Sequence, residues 1–470
     1  MHKEASIREP LILGDKSYHD ITEDVCRPIE NDAPKAWYLM ITIAGLVAMW
    51  GIGCILYLIG TGIGTWGLNK TVGWAWDITN FVWWVGIGHA GTLISAVLLL
   101  FRQKWRMAIN RSAEAMTIFA VFMAGLFPLI HMGRLWVGYW VLPIPNQFGS
   151  LWVNFNSPLL WDVFAISTYL SVSLVFWYIG LIPDFATIRD RVTKPIFKRV
   201  YRVLSFGWTG DAKAWNRFEL VSLVLAGLAT PLVFSVHSIV SFDFATSVIP
   251  GWHTTIFAPY FVAGAIFSGL SMVLTVLIPM RAVFGLQDYI TNHVIQSVSK
   301  MIIFTSIIVG YAYASEFFIG YYSGSPFERA IFYYRPFGEM ESWTLLGDSK
   351  INFPQIAFWL MVFCNVIAPI PLWRWKIRNN PLAVWIIAAL VNVGMWFERF
   401  NIVGSSLQHE YDPSAWGEYW PTIVEVGITV GSFGFFFTLF TLFAKSLPPM
   451  AIMELKEATI PPMKNAAKGH

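Results

Sequence analysis

The chain is 470 residues long, and 56% of them are hydrophobic, 17% aromatic and only 13% charged. This composition excludes an ordinary soluble domain and predicts a polytopic membrane protein. The net charge of +3 is too small to indicate a polyanionic partner, and we expect no contact with nucleic acid.

The N-terminal tail, residues 1–35, is polar and mixed in charge. It has no short apolar stretch followed by a small-residue cleavage site, so we expect no cleavable signal peptide. The tail is predicted to lie on the membrane surface or to pack beneath the helices. The three cysteines, Cys26, Cys54 and Cys364, lack Cys-x-x-Cys spacing, which favours small buried residues over a disulfide or an iron–sulfur site.

Ten apolar stretches follow, each close to the ~20 residues that a membrane-spanning helix needs. Such stretches are much longer than the strands of a membrane barrel, so the predicted fold class is all-α integral membrane. The stretches are 36–62, 76–101, 113–132, 158–182, 218–240, 254–279, 301–320, 354–372, 382–400 and 421–443.

The middle eight stretches look duplicated, because spans two to five and six to nine have the same order of lengths. An even number of helices in each unit predicts parallel repeats. The chain is therefore expected to form two four-helix bundles, at 76–240 and 254–400. The flanking spans are 36–62 and 421–443, and a C-terminal tail covers 444–470.

The basic residues indicate the orientation. Lys and Arg are concentrated in the connections on the N-terminal side, such as 102–111 and 189–213, whereas the opposite connections at 241–253 and 401–420 have none. The positive-inside rule then predicts that both termini are cytoplasmic.

Most of the ionisable residues within spans are predicted to lie near the outer face. Such residues are costly in a membrane and indicate a functional site by default. His89 is the exception, midway along span two, and it is either an interhelical hydrogen-bonding residue or a proton relay. A proton path is predicted through His89, Glu316, Glu398 and Asp77. Glu398 and Arg399 are adjacent in sequence, so we expect them to point to different sides of their helix and to have different partners.

His131 closes span three, and Asp162 lies four residues after Pro158 at the start of span four. Because the outer connection joins these helices, we expect the two side chains to face each other. A carboxylate beside an imidazole stabilises the protonated ring, as a proton acceptor requires. His131 and Asp162 are therefore predicted to be catalytic. The alternative is an ion pair that only holds the helix ends.

The segment 237–260 is rich in residues able to bind a flat aromatic head group. It offers imidazoles and a carboxylate at His237, Asp243 and His253, together with Trp252 and Tyr260, and contains no Lys or Arg. This set of side chains suits a quinone. Trp252 and Tyr260 are alternatively interfacial anchors, and the two histidines are surface residues if the spans end a turn early.

The stretch from His237 through Pro250-Gly-Trp-His to Gly269 resembles the polysulfide reductase membrane-subunit (NrfD-like) family. Together with segments 8–14 and 21–28, it is more closely similar to the quinol-binding membrane subunits of bacterial alternative complex III. The resemblance implies a multi-pass protein of the bacterial inner membrane that binds quinol, with menaquinol expected, near the periplasmic face. The residues expected to bind it are His131, Asp162, His237, Asp243, His253, Trp252, Tyr260 and Arg399.

The resemblance also implies a subunit of a quinol oxidoreductase complex with no metal and no redox cofactor of its own beyond quinol. Electrons would pass to an iron–sulfur cluster in a periplasmic subunit and then to c-type haems in multihaem cytochrome subunits. The other expected partners are a homologous membrane sister subunit, a terminal oxidase and membrane lipid. Quinol oxidation would release protons, and proton translocation is expected to accompany electron transport.

Two rival interpretations remain. A haem-bearing cytochrome b-like subunit sets two histidines in one helix, but no predicted span contains two. An optical spectrum would reveal its haem. A secondary transporter also has parallel repeats, yet its polar groups gather near the midplane. Uptake by vesicles without an electron acceptor would identify it.

Overall fold

The computed structural model describes residues 11–14, 16–142, 157–338 and 352–459. Within these ranges the chain is helical without strands, and ten helices are long and apolar enough to cross a membrane. They are Lys35–Thr61 (α2), Trp76–Leu100 (α3), Asn110–His131 (α4), Pro158–Arg191 (α5), Ala212–Ala245 (α7), Phe257–Phe284 (α8), Asn292–Tyr322 (α9), Phe353–Trp373 (α11), Pro381–Gln408 (α12) and Ile423–Ser446 (α13). The prediction of an all-α membrane protein with ten spans is confirmed.

Among the described residues, four shorter α-helices of at least seven residues lie outside the spans. They are Tyr18–Glu30 (α1), Pro195–Leu204 (α6), Pro326–Phe337 (α10) and Ile452–Ala458 (α14). The tails α1 and α14 contact each other, and we call their side of the molecule the tail side and the opposite side the far side.

Several spans are longer than their apolar stretches. α5 continues to Arg191, α7 to Ala245 and α12 to Gln408, because a helix does not end where its residues become polar. Local signals set the real ends. Pro158 occupies the first turn of α5, where its missing N–H costs nothing, and Thr422 begins α13 with a capping box.

The two central helices are α3 and α8. In their most apolar windows 94% of α3 and 83% of α8 is buried, against 17% of α2. Helix α3 packs on α4 and α5 packs on α7, and in the second half α8 packs on α9 and α11 packs on α12. The same pairing thus recurs in both halves. The division into two bundles at 76–240 and 254–400 stays a prediction.

The flanking helices α2 and α13 pack closely along a seam of small residues. A Cβ added at Gly51 would lie 2.5 Å from the Cα of Gly431, so the two backbones touch. Small residues allow this approach between membrane helices. The first and last spans are therefore one packed pair at the edge of the molecule.

The N-terminal tail packs beneath the bundle. The backbone N–H of Leu13 donates to the carbonyl of Asp288 at 2.9 Å, and the hydroxyl of Tyr289 donates to Asp24 at 2.8 Å. Cys26 on α1 is buried, and this burial raises the pKa of its thiol to about 12. A thiol that stays protonated is unreactive, in agreement with the structural role expected of it.

Helices α3 and α11 each contain one wide π-helical turn, at Leu93–Val97 and Phe363–Ile367 respectively. Such turns occur mostly as single interruptions of α-helices and often lie at functional sites. In α3 the turn begins four residues after His89. In α11 it includes Asn365, whose amide donates to the hydroxyl of Tyr313 at 2.7 Å.

Candidate functional site

The first polar pair on the far side is formed by His131 and Asp77. The imidazole Nδ1 of His131 is hydrogen-bonded to Asp77 Oδ2, and the Asp77 side chain is buried. Asp77 lies in the first turn of α3 and His131 in the last turn of α4. The helix dipole favours an acid at the first position and a protonated histidine at the second. The pair is suited to hold a proton on the ring.

The structure corrects the predicted pairing of His131 with Asp162, because among the described residues no hydrogen bond joins them. Helices α3 and α4 are antiparallel neighbours, so the start of α3 and the end of α4 share one depth. Asp77, predicted only as part of a proton path, is therefore the partner of the imidazole.

Asp162 faces Asp243 instead. Asp162 is the fifth residue of α5, and Asp243 lies in the last turn of α7. Both are buried, and their carboxyl groups are close enough to share a hydrogen bond. Neither oxygen of Asp162 has a donor among the other described residues. Two adjacent buried carboxylates disfavour ionisation of both. The pair is therefore suited to hold one proton between two carboxyl groups.

Three aromatic side chains pack together around the residue that follows Asp243. Phe244, next to Asp243, packs edge-on against Trp252 at 5.0 Å and Trp74 at 6.2 Å between ring centroids. The indole N–H of Trp252 donates to the carbonyl of Ile402 at 2.7 Å, so this ring is fixed. Trp74 lies three residues before Asp77 and contacts Phe244, which follows Asp243.

A pair of histidines lies deeper, at His89 and His237. Their ring centroids are 4.7 Å apart, Tyr169 stacks on His89 at 5.4 Å, and all three side chains are buried. His89 Nδ1 is bonded to the carbonyl of Val85 at 2.6 Å. Its Nε2 and both ring nitrogens of His237 have no partner among the described residues.

The depth of His237 corrects a second prediction. His89 follows Asp77 by twelve residues, which corresponds to about 18 Å along a helix at 1.5 Å per residue. Because His237 lies against His89, it is also deep in the molecule and not near the outer face. The sequence alone could not reveal this, because α7 continues to Ala245, past the end of its apolar stretch.

Glu398 and Arg399 form a third buried group. Contrary to the expectation that they have different partners, Arg399 Nη1 lies 3.0 Å from Glu398 Oε1. The side chain of Arg399 is long enough to fold back along its helix. Tyr313 donates a hydrogen bond to the other oxygen of Glu398. Both charged side chains are almost completely buried.

Phe261 lies between the histidine pair and this charged group. Its ring centroid is 5.7 Å from the ring of His237 and 4.1 Å from the guanidinium carbon of Arg399. Tyr260, one residue earlier, lies 5.9 Å from the same guanidinium. Phe261 therefore links His237 of the first half of the chain to Arg399 of the second half.

The remaining predicted residues lie further out. Half-exposed His253 has its Nδ1 3.5 Å from Glu328 Oε1. Glu316 is paired with Arg335 at 2.8 Å. Among the described residues, neither His253 nor Glu316 is hydrogen-bonded to Asp162 or Asp243. His253 therefore contacts the second half of the chain and not the carboxyl pair.

The tail side contains a charged network that the sequence reading missed. Arg111 Nη1 lies 2.9 Å from Glu114 and its Nη2 3.3 Å from Asp184, and all three residues are buried. Arg106 pairs with Glu454 of α14 at 3.2 Å. The expectation that buried ionisable residues gather at the outer face is therefore wrong. The i, i+3 spacing of Arg111 and Glu114 could have indicated the pair.

The far side offers carboxylates and an imidazole as proton acceptors, together with aromatic rings. The acceptors can take protons from an aromatic alcohol, and the rings can pack against it. Among the described residues no three His, Cys, Asp or Glu side chains are grouped as a metal site. The predicted absence of a metal stays a prediction.

Comparison with known proteins gives two findings. The family model for polysulphide reductase, NrfD matches residues 64–409 of this chain. A protein of Halobacterium salinarum, provisionally described as a dimethyl sulfoxide reductase membrane subunit, is 25% identical over 419 residues, which cover 83% of this chain and 86% of the relative.

Proposed function

Because this chain belongs to the polysulphide reductase, NrfD family, we propose that it is the quinol-binding membrane subunit of a respiratory quinol oxidoreductase complex of the alternative complex III type. The observation that carries the proposal is the buried carboxyl pair of Asp162 and Asp243. Asp243 is followed by Phe244, which packs against Trp252 and Trp74, and the pair lies on the same side as the Asp77–His131 pair. The reductase description of the halobacterial relative supports an oxidoreductase complex.

Quinol oxidation releases two protons and two electrons, so the site needs acceptors for both protons. In the proposal, a carboxylate of the Asp162–Asp243 pair accepts one proton from a quinol hydroxyl. His131 accepts the other, with Asp77 stabilising the imidazolium. Imidazole is suited to this without perturbation, and a carboxylate becomes suited when buried.

The aromatic residues orient the quinol ring in this proposal. Trp252, Phe244 and Trp74 form a rigid wall, and Tyr260 and Arg399 lie behind Phe261. His237 and His89 continue inward from Asp243. The unpartnered ring nitrogens of these histidines support a role in proton movement rather than a purely structural one. Glu398 and Glu316 extend the proposed proton path into the second half.

The electrons leave the quinol to an iron–sulfur cluster in a periplasmic partner subunit and continue to c-type haems. We propose that the far-side segments 323–338 and 409–420 dock these subunits. Among their described residues are the exposed aromatic rings of Phe327, Phe337, Tyr411 and Trp416. The rest of the proposed docking segment, 339–351, lies outside the described residues.

The test of this assignment compares the intact complex with the isolated chain. After gentle solubilisation, the complex is expected to oxidise a short-chain menaquinol analogue with a soluble c-type cytochrome as acceptor. The chain purified alone should bind the quinol without oxidising it. Quinol oxidation by the isolated chain at the rate of the complex would contradict the proposal, as would a haem absorption band in the isolated chain.

The proposed orientation places the tail side in the cytoplasm of a bacterial cell and the far side in the periplasm. A reporter that is active only in the periplasm should be inactive when fused after Arg199 and active when fused after Trp416. Arg199 lies on α6 among seven basic residues of 189–213 and Trp416 in a loop without Lys or Arg, so the positive-inside rule separates them. The reverse pattern of reporter activity would rule out this orientation.

A further inference from the structure

A cleft of about 220 Å³ opens on the far side between α9, α10 and α11. Five aromatic rings from the described residues line it, those of Phe317, Phe332, Phe337, Phe358 and Trp359. The ring of Phe317 lies 5.6 Å from that of Phe358 and 6.1 Å from that of Phe332. The cleft is built from helices of the second half and contains none of the residues that surround Asp162 and Asp243.

One edge of the cleft is polar. Arg335 lines it and is only 5% exposed. Its Nη1 lies 2.8 Å from Glu316 Oε1 and its Nη2 donates to Ser406 Oγ at 3.0 Å. Its Nε has no partner among the described residues. That atom is enclosed by protein, so an oxygen in the cleft can reach the guanidinium only through its Nη groups.

The charges of the cleft restrict its ligand. Among the described residues, the lining contains the carboxyl groups of Glu316 and Glu328 and one cation, Arg335. Glu328 already accepts from the backbone N–H of Gly251 at 3.0 Å. An excess of negative charge disfavours an anion such as a free phosphate or an acidic lipid head group. A neutral molecule with acceptor oxygens fits the charge of the cleft and can accept from Arg335.

The size of the cleft points to a small flat ring system. An engineered apolar cavity of about 150 Å³ binds benzene, so a larger cleft that is open on one side suits a quinone head group of one or two fused rings. Offset or edge-on aromatic neighbours favour such a ring further. Trp359 and Phe337 on the lining are exposed, which gives an apolar molecule a route into the cleft from the membrane.

We propose that this cleft binds the ring of a second quinone, separate from the one at Asp162 and Asp243. One carbonyl oxygen accepts from Arg335, and the ring lies among Phe317, Phe332 and Phe358. The quinone is held there without reacting. The inference rests on the proposed function only in taking quinone as the ligand class.

The test uses the intact complex and an azido-substituted naphthoquinone with a short alkyl chain as a photoaffinity probe, with labelled peptides identified by mass spectrometry. We expect labelling near Asp162 or Asp243 and separately within 316–337 or 353–359. Gly320 lines the cleft, and a Cβ added there meets nothing within 4 Å. Gly320→Leu should therefore fill the cleft without a backbone clash and abolish labelling of the second region.

Gly310 provides the matched control. It lies on the same helix, its added Cβ also meets nothing within 4 Å, and it does not line the cleft. Gly310→Leu should keep both labels, and so should Gly320→Ala, which is too small to fill the space. Labelling near Asp162 alone, or a second label that persists in Gly320→Leu, overturns this inference but not the proposed function. No labelling in either region overturns both.

Discussion

Replacing Asp162 with asparagine is expected to lower quinol turnover by about 10²–10⁴-fold, the usual cost of losing a general acid or base, while the complex still assembles. Asparagine has nearly the shape of aspartate but cannot accept a proton. Its amide can donate to Asp243, so the buried contact survives. If Asp162 takes part in proton transfer, Asp162→Asn therefore lowers turnover. If Asp162 only supports helix packing, turnover stays near normal.

His131→Ala is expected to cause a loss of similar size, because it removes the imidazole that accepts the second proton and is held by Asp77. His89→Ala should cost far less, since His89 lies deeper than the carboxyl pair. Turnover is measured with saturating quinol in the assembled complex, and assembly is checked by co-purification of the partner subunits.

Asp190→Asn is the matched control for Asp162→Asn. Asp190 lies on the same helix, α5, but near its tail-side end, where its side chain is exposed and paired with Arg189. The control should keep normal turnover. Near-normal turnover in both Asp162→Asn and His131→Ala would refute the assignment of these residues. Failure of either variant to assemble would instead indicate a structural role.

Arg399→Met is expected to destabilise the protein by about 3–5 kcal/mol, the cost of leaving a buried charge without its partner. Glu398 loses the guanidinium 3.0 Å away and keeps the hydrogen bond from Tyr313. The double variant Glu398→Gln/Arg399→Met should recover much of this loss. A glutamine can still accept from Tyr313 and brings no charge into the core.

The measurement is the apparent Tm of each variant in the same detergent. Arg374→Met serves as the control, because Arg374 is exposed on the tail side and its loss should leave the Tm nearly unchanged. If Arg399→Met has the same Tm as the control, the ion pair contributes nothing to stability. If the double variant melts below Arg399→Met, the charge of Glu398 is not the cause of the loss.

Hydropathy was sufficient to predict the ten spans, because the cost of exposing polar groups to lipid acts along each helix separately. It could not predict which side chains meet, since that depends on which helices are neighbours. His131 was paired with Asp162 through the chain connection, whereas packing of α3 on α4 brings it to Asp77. Helix α10, which bounds the proposed quinone cleft, lies between the apolar stretches 301–320 and 354–372, where hydropathy predicts no span.

Hydropathy also could not predict the charged network on the tail side. Arg111 was counted as a loop charge, and Asp184 lay just beyond the apolar stretch that ends at residue 182. In the structure α4 begins at Asn110 and α5 continues to Arg191, so both side chains are within helices and buried. A basic residue near a span is thus compatible with two interpretations, an orientation signal and a buried partner.

The wide turn at Leu93–Val97 has a consequence for comparing this chain with its relatives. A π-helical turn is in effect an α-helix with one residue inserted, and one residue corresponds to about 100° around the helix axis. The segments of α3 before and after the turn therefore follow two helical wheels that are out of phase. A relative with an uninterrupted helix must be aligned with a one-residue gap here, or lipid-facing positions will be matched with buried ones.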